Sequence, residues 1–109
     1  MVKIRVLPPT QEDIRYCIEY ARDEFGRKCV LRWKKELEAI YARLIMFPLS
    51  YSPEPILKDF HRVYRSALLM DNFKFIYRYD KERDEIVIAD IWYTKRSQQA
   101  LLRQFKRKL

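Results

Sequence analysis

The feature that most constrains this chain is its single glycine, Gly26, which separates two stretches with apolar residues at helical spacing. The first stretch carries Ile14, Cys17, Ile18, Ala21 and Phe25, and the second carries Val30, Trp33, Leu37, Ile40, Tyr41 and Leu44. Such spacing gives a helix one apolar stripe, and glycine readily takes the left-handed conformation that ends a helix. The sequence therefore predicts a helix ending at Gly26 and a second from about Arg27 to Met46. A link this short makes them an antiparallel hairpin.

The residues before the first helix predict how it begins. In "VKIRVLP", Ile4 and Val6 alternate with cations, which is typical of a short strand. Thr10 is a suitable N-cap, because its hydroxyl can accept a hydrogen bond from the backbone three residues on. Glu12 and Asp13 would then lie at the positive end of the helix dipole.

The second half of the chain predicts strands. "HRVYRSALLM", "FKFIYRYD" and "EIVIADIWY" are separated by the turn signal Asp71-Asn72 and the polar loop "KERD", so they pair antiparallel. The middle strand places Phe73, Phe75, Tyr77 and Tyr79 on one face. Such a row can stack nucleic-acid bases, but the helical hairpin must bury its stripes, and we expect this face to be its floor.

Together these elements predict one α+β domain over residues 1–109. The order is β-α-α-β-β-β(-α), a mostly antiparallel sheet with the helical hairpin packed on one face. Residues 98–109 form a basic C-terminal tail or a short helix, since Ala100, Leu101 and Phe105 have helix-like spacing.

The charge of the chain is concentrated in its second half. The net charge is +8, and residues 58–109 hold 13 cations against 7 anions. From Trp92 onwards there are 6 cations and no acid. Clustered cations favour an anionic partner, because binding releases counterions. A solvated basic tail accounts for the same pattern, and the sequence leaves both interpretations open.

Several classes of function are disfavoured by composition. One glycine excludes glycine-rich phosphate loops. Cys17, Cys29 and the one histidine, His61, do not have the spacing of a metal site, so no metal or cofactor is expected. No apolar run approaches the length of a membrane span or a signal peptide. We therefore expect a cytoplasmic protein that does not associate with membranes.

Basic and aromatic residues on the sheet are the candidate site. The candidates are Arg65 (or Arg62, depending on register), Arg78, Tyr93, Lys95 and Arg96. If the sheet face opposite the hairpin gathers them into one concave patch, their guanidinium groups suit phosphates or an acidic protein segment. In RNA cleavage the arginines would stabilise the phosphate, while Tyr93 and Lys95 would transfer protons only with strongly lowered pKa values. An ordinary solvated sheet face remains the alternative.

The order and spacing of these motifs resemble the RelE/ParE toxin superfamily over about residues 2–97. The resemblance depends on Arg65 eight residues before the strand "FKFIY" and on a last strand that closes on Arg96. It implies a growth-inhibiting toxin of a type II toxin–antitoxin module, of the kind linked to plasmid stabilisation. It also implies a cognate antitoxin as partner, with assembly mainly through the toxin–antitoxin complex.

The resemblance implies two alternative targets. ParE-like members inhibit DNA gyrase, whereas RelE-like members cut mRNA on the ribosome without a metal, and Arg65, Arg78, Tyr93, Lys95 and Arg96 would then be catalytic. Many members have a histidine near the end of the last strand, where this chain has a tyrosine, a poorer base at neutral pH. This favours the ParE-like function and leaves enzymatic activity open. A non-toxic basic module that binds nucleic acid or protein is a further alternative.

Overall fold

The computed structural model describes residues 2–109 and has the predicted order of elements. Its strands are β1 (Lys3–Val6), β2 (Arg65–Leu69), β3 (Phe73–Asp80) and β4 (Glu85–Tyr93). Its helices are α1 (Pro8–Phe25), α2 (Arg27–Met46) and α3 (Gln98–Arg107), with a short 3-10 turn at Pro55–Leu57. Gly26 has a φ of 85° at the link between α1 and α2, so this turn uses a conformation that side chains rarely adopt.

The four strands form one mixed sheet in the order β1-β4-β3-β2. The pairs β2–β3 and β3–β4 are antiparallel, as their short links require, whereas β1 runs parallel to β4. The long connection through α1 and α2 permits a parallel neighbour. The predicted α+β class and mostly antiparallel sheet are confirmed.

One face of the sheet, which we call the hairpin face, is covered by α1 and α2. Phe75 and Tyr77 of β3 are fully buried there against Trp33 and Leu44 of α2. The Trp33 and Phe75 rings meet edge to face, with centroids 6.1 Å apart, a favoured aromatic geometry. The aromatic row of β3 is therefore core, as expected, and not a base-stacking platform.

Helix α1 begins earlier than the sequence predicts. Its first residue is Pro8, preceded by Leu7, which provides no side-chain cap. Proline suits this position, because its fixed φ is helical and its missing N–H would have had no partner. Thr10 is therefore not the N-cap. It is fully buried inside the first turn, and its hydroxyl donates to the Ala89 carbonyl oxygen at 2.8 Å.

The second face of the sheet, which we call the α3 face, is also buried. The C-terminal residues form a complete helix, and Leu101 and Phe105 pack on Ile76 and Trp92. Ser97 caps this helix by accepting a hydrogen bond from the Ala100 amide at 3.1 Å. The expectation of a solvated face with projecting cations is wrong for the centre of the sheet, because α3 has an apolar stripe of its own to bury.

A register shift in β4 decides which side chains reach the α3 face. Ile76 of β3 pairs with Asp90, but the next residue, Tyr77, pairs with Ile88, so Ala89 is an additional residue. Such a bulge interrupts strict alternation. As a result Ala89 and Asp90 both lie on the α3 face, and Ile91 returns to the hairpin core.

The carboxylate of Asp90 ties α3 to the sheet. It is fully buried and accepts hydrogen bonds from the Ile91 amide, Trp92 Nε1, Gln104 Nε2 and Lys108 Nζ, at distances between 2.6 and 3.0 Å. Lys108 also pairs with Asp13 of α1 at 2.5 Å. We call these side chains the Asp90 network. It connects α1, β4 and α3 through one buried charge.

Candidate functional site

A large open cleft lies between α1, the start of α2, the end of β4 and α3. Its volume is about 920 Å³. Four of its aromatic side chains are exposed: Tyr16, Tyr20, Phe25 and Tyr93, with between 41% and 69% of each in contact with solvent. We call this surface the aromatic cleft. Exposed aromatic residues gathered in one concavity are typical of a surface that binds a partner.

The floor of the aromatic cleft is the edge of the hairpin core. Trp33 and Phe73 lie there with ring centroids 6.1 Å apart, and Tyr93 packs on Phe73 at 5.5 Å. The end of β4 is held by Thr94, whose amide and hydroxyl both donate to the Asn72 carbonyl oxygen. The cleft is thus built on fixed sheet and helix positions.

One rim of the cleft is cationic. Lys95, Arg96 and Arg107 line it, and none of them makes an ion pair within residues 2–109. Arg96 Nη1 donates to Gln104 Oε1 at 2.5 Å, which links the end of β4 to α3. Asp13 also lines the cleft and is paired with Lys108, which it shares with Asp90. The cleft therefore offers aromatic rings together with three cations that have no ion-pair partner in the described part of the chain.

Both cysteines of the chain line the cleft and are half-buried with free thiols. Burial raises the pKa of the Cys17 thiol to about 11, and the negative charge of Asp13 acts in the same direction. At neutral pH Cys17 is therefore a protonated thiol and a weak nucleophile. Within residues 2–109 no three histidine, cysteine, aspartate or glutamate side chains come together as metal ligands.

Arg65 lies away from the cleft. It pairs in register with Tyr77, which places it on the hairpin face, and Nη1 donates to the Tyr51 carbonyl oxygen at 2.7 Å. The Arg43 guanidinium stacks over the Tyr51 ring at 4.0 Å, and the Tyr77 hydroxyl donates to the Pro48 carbonyl oxygen. In this structure Arg65 fixes the loop that follows α2.

Arg78 lies on the α3 face, opposite Arg65. It pairs with Val87 and lines a small pocket together with Arg62 and Tyr64. His61, also in the loop before β2, is exposed and is not in a strand.

The structure therefore brings together three of the five predicted site residues. Tyr93, Lys95 and Arg96 share the rim of the aromatic cleft, whereas Arg65 and Arg78 lie on opposite faces of the sheet. The expected single patch does not form. Arg65 pairs with Tyr77 and shares its face of the sheet, whereas Arg78 follows Tyr77 on β3 and therefore points to the other side. Catalysis by these residues stays a prediction.

The aromatic wall of the cleft on α1 was not predicted from the sequence. Tyr16 and Tyr20 are one helical turn apart and lie outside the apolar stripe, a pattern that marks an exposed aromatic face. Phe25 was expected in the core stripe, but it is 69% exposed. The helical spacing of α1 alone did not show that Phe25, in its last turn, faces solvent.

A family model described as ParE toxin of type II toxin-antitoxin system, parDE, matches residues 4–98. The chain belongs to the ParE toxin family. A search of curated proteins finds no significant match. The match includes α1, α2 and all but the first residue of the sheet, and it ends at the first residue of α3. This ParE-family chain is therefore a toxin of the type II toxin–antitoxin class, as its resemblance to the RelE/ParE superfamily implied.

The family implies a cognate antitoxin as partner of this chain. Among the helices of residues 2–109, none is long and apolar enough to cross a membrane. The aromatic cleft lies within the part of the fold that the family model matches, apart from its α3 side.

Proposed function

We propose that this ParE-family toxin inhibits growth by binding DNA gyrase in the cytoplasm, and that its antitoxin neutralises it by docking in the aromatic cleft. The observation that carries the proposal is the cluster of four exposed aromatic side chains in one cleft of a ParE-family chain. Tyrosine and phenylalanine are enriched in protein interfaces. The separation of Arg65 and Arg78 from Tyr93, Lys95 and Arg96 further supports binding over RNA cleavage.

The chemistry of the cleft supports a particular kind of antitoxin segment. Exposed rings along α1 suit an amphipathic helix that lays its apolar side in a groove. The uncompensated cations Lys95, Arg96 and Arg107 on one rim complement acidic side chains, which steer association and fix orientation. We therefore expect the bound antitoxin segment to be helical, with an apolar stripe flanked by Asp or Glu.

Gyrase inhibition is tested by adding the purified toxin to an ATP-dependent DNA supercoiling assay. We expect supercoiling to fall with increasing toxin and to recover when the protein encoded beside it is added. Expression of the toxin alone should arrest growth with an SOS response. Undiminished supercoiling at a large molar excess of folded toxin would reject gyrase as the target.

Antitoxin docking is tested by changing the cleft. Tyr20→Glu places a carboxylate in the aromatic wall, and we expect the affinity for the co-encoded protein to fall roughly 30-fold or more, as for an interface hot spot. Phe47→Glu is the matched control, since Phe47 is 62% exposed but lies beyond the end of α2 and outside the cleft. Equal affinity of the Tyr20→Glu and Phe47→Glu variants would place the antitoxin elsewhere.

One observation favours the RelE-like alternative, mRNA cleavage on the ribosome. Tyr93, Lys95 and Arg96 share one rim, so a proton-transfer group and a phosphate-stabilising cation would be neighbours there. In translating ribosomes supplied with toxin, this function predicts cut transcripts that disappear with Arg96→Ala while folding is retained. Intact transcripts would reject it, and harmless overexpression would favour a non-toxic binding module instead.

A further inference from the structure

A second, smaller pocket lies on the α3 face. Its volume is about 200 Å³, and it contains Arg62, Tyr64 and Arg78 with apolar walls that include Val87 and Phe105. We call it the arginine pocket. Arg78 comes from the middle of the sheet, and Arg62 comes from the loop before β2. Two arginine side chains from different elements thus line one concavity.

The two arginines of the arginine pocket have no acidic partner in the described part of the chain. Neither Arg62 nor Arg78 makes an ion pair or a side-chain hydrogen bond among residues 2–109, although Arg78 is half-buried. Lys108 also lines the pocket, but its ammonium group is bound by Asp90 and Asp13. A half-buried arginine without an acidic partner loses hydration and gains no protein contact, so an anion in this pocket would restore its interactions.

The Tyr64 side chain adds a free donor. Only 6% of Tyr64 is exposed, yet its hydroxyl has no hydrogen-bond partner among residues 2–109 and is not enclosed in the core. The pocket is therefore lined by three side chains, Arg62, Tyr64 and Arg78, whose donors have no hydrogen-bond partner within residues 2–109. Donors that approach from several directions suit a tetrahedral phosphate. A planar carboxylate is already bound through both of its oxygens by one guanidinium group.

Helix α3, whose Phe105 lines the pocket, carries two more exposed cations. Arg103 and Lys106 project outward from α3, are exposed and have no ion-pair partner within residues 2–109. The two buried carboxylates of this face, Glu54 and Asp90, are each held by a lysine. The same sheet face also carries the carboxylates of Asp80 and Glu85, which are paired with Arg83 and Arg5. The cations without an ion pair within residues 2–109 on this side of the molecule therefore include those of the arginine pocket and of the exposed side of α3, and such cations suit a polyanion.

We propose that the arginine pocket binds a phosphate of a nucleic-acid backbone, and that the exposed cations Arg103 and Lys106 of α3 add to the attraction for this polyanion. The contacts are to the backbone, so they position the nucleic acid and do not select a base sequence. This binding surface is on the opposite side of the sheet from the hairpin. The proposed nucleic-acid binding does not depend on gyrase being the toxin's target.

The test measures the binding of fluorescently labelled nucleic acid to the whole chain across a salt series. Duplex DNA and single-stranded RNA of equal length form the two arms, which identify the source of the phosphate. We expect Arg78→Gln and Arg62→Gln each to weaken binding roughly 10-fold, equally for unrelated sequences. The slope of log affinity against log salt should fall by about one for each lost phosphate contact.

Arg27→Gln is the matched control, because Arg27 is exposed, has no ion pair within residues 2–109, and lies on α2 on the hairpin side of the sheet. Arg27→Gln should lower the affinity for nucleic acid less than Arg78→Gln or Arg62→Gln. It should also not combine a loss of affinity with a smaller slope of log affinity against log salt. Circular dichroism and thermal melting establish that the variants are folded. Equal effects of Arg78→Gln and Arg27→Gln would overturn the pocket assignment, as would poly-glutamate that competes as well as nucleic acid of the same charge.

Discussion

The two faces of the sheet are both buried, but they are held by different interactions. The hairpin face is covered by 38 residues of helix across α1 and α2 and is packed with apolar rings, including Trp33, Phe75 and Tyr77. The α3 face is covered by a helix of 10 residues, fastened by the single carboxylate of Asp90. The α3 face also has an apolar cluster, in which Leu101 and Phe105 pack on Ile76 and Trp92, but the buried Asp90 carboxylate adds several directional polar contacts at one point.

The two faces should respond differently to the substitution of a buried residue. Apolar packing is non-directional, and the stability lost on substitution increases with the side-chain volume that is removed. Removal of a buried, fully hydrogen-bonded charge breaks several hydrogen bonds at once, because all of its partners lose their common acceptor. The α3 face should therefore be the more sensitive of the two to a single conservative substitution.

Removal of the Asp90 carboxylate should have the largest effect. Asp90→Ala leaves the Lys108 ammonium, the Gln104 amide and the Trp92 indole N–H without their common acceptor. We expect the free energy of unfolding to fall by about 3–5 kcal/mol. Chemical denaturation, followed by circular dichroism, measures this loss.

Asp80→Ala is the control for the Asp90 change. Asp80 is half-buried and also pairs with a cation, but that cation is the exposed Arg83, at 3.8 Å, and the one other polar contact of the Asp80 carboxylate within residues 2–109 is the Arg83 amide at 3.3 Å. A pair with an exposed cation contributes less than about 1 kcal/mol. If Asp90→Ala and Asp80→Ala cost the same, the Asp90 network does not fasten the α3 face, and the contrast between the faces is lost.

The two tryptophans permit the same substitution on each face. Trp33 lies on the hairpin face and Trp92 on the α3 face, and both are at most 1% exposed. Trp92 Nε1 donates to Asp90 at 2.8 Å, whereas Trp33 Nε1 is buried without a hydrogen-bond partner within residues 2–109. Trp92→Phe should therefore cost about 1.5–3 kcal/mol more than Trp33→Phe, the value of a hydrogen bond to a charged group.

The tryptophan variants also report on each face separately by fluorescence. Trp33→Phe leaves only the α3-face reporter, and Trp92→Phe leaves only the hairpin-face reporter. Adding Asp90→Ala to Trp33→Phe should shift the fluorescence midpoint to lower denaturant. A Trp33→Phe variant that is less stable than Trp92→Phe would contradict the proposed role of polar contacts on the α3 face.

The same contrast explains how much of the fold the sequence could predict. The hairpin face follows from patterns with fixed periods, the stripes of α1 and α2 and the alternation of β3, so its helices and its floor were predicted. The α3 face depends on the additional residue at Ala89, which changes the side of the sheet that Asp90 faces. Alternation in "EIVIADIWY" does not reveal that shift, because a bulge is decided by what packs on the strand.

The candidate site was predictable only where residues are close in the chain. Tyr93, Lys95 and Arg96 share a rim because they follow one another at the end of β4. Arg65 and Arg78 were expected to join them, but the register that pairs Arg65 with Tyr77 places the two arginines on opposite faces. Long-range register is fixed by packing, which the local pattern does not contain.

A smaller effect concerns the Cys17 thiol on the hairpin side, whose pKa is strongly raised. Burial raises the pKa of the Cys17 thiol from 9.0 to about 11, with a further contribution from Asp13. At pH 8 this lowers the thiolate fraction roughly 100-fold, and the thiolate is the reactive form. In a Cys29→Ser variant, the rate of alkylation by iodoacetamide should therefore rise with pH up to a midpoint near 11.

The same shift sets the sign of a stability change at high pH. The unfolded chain loses the Cys17 proton near pH 9, whereas the folded chain keeps it up to about pH 11. Since the unfolded state then binds fewer protons, the free energy of unfolding should fall as pH rises through this window. Burial raises the pKa of Tyr41 and Tyr77 as well, which adds a loss of the same sign. An alkylation midpoint near 9 in the folded Cys29→Ser variant would show that Cys17 is solvated, and that the hairpin side is more open at the cleft than its packing implies.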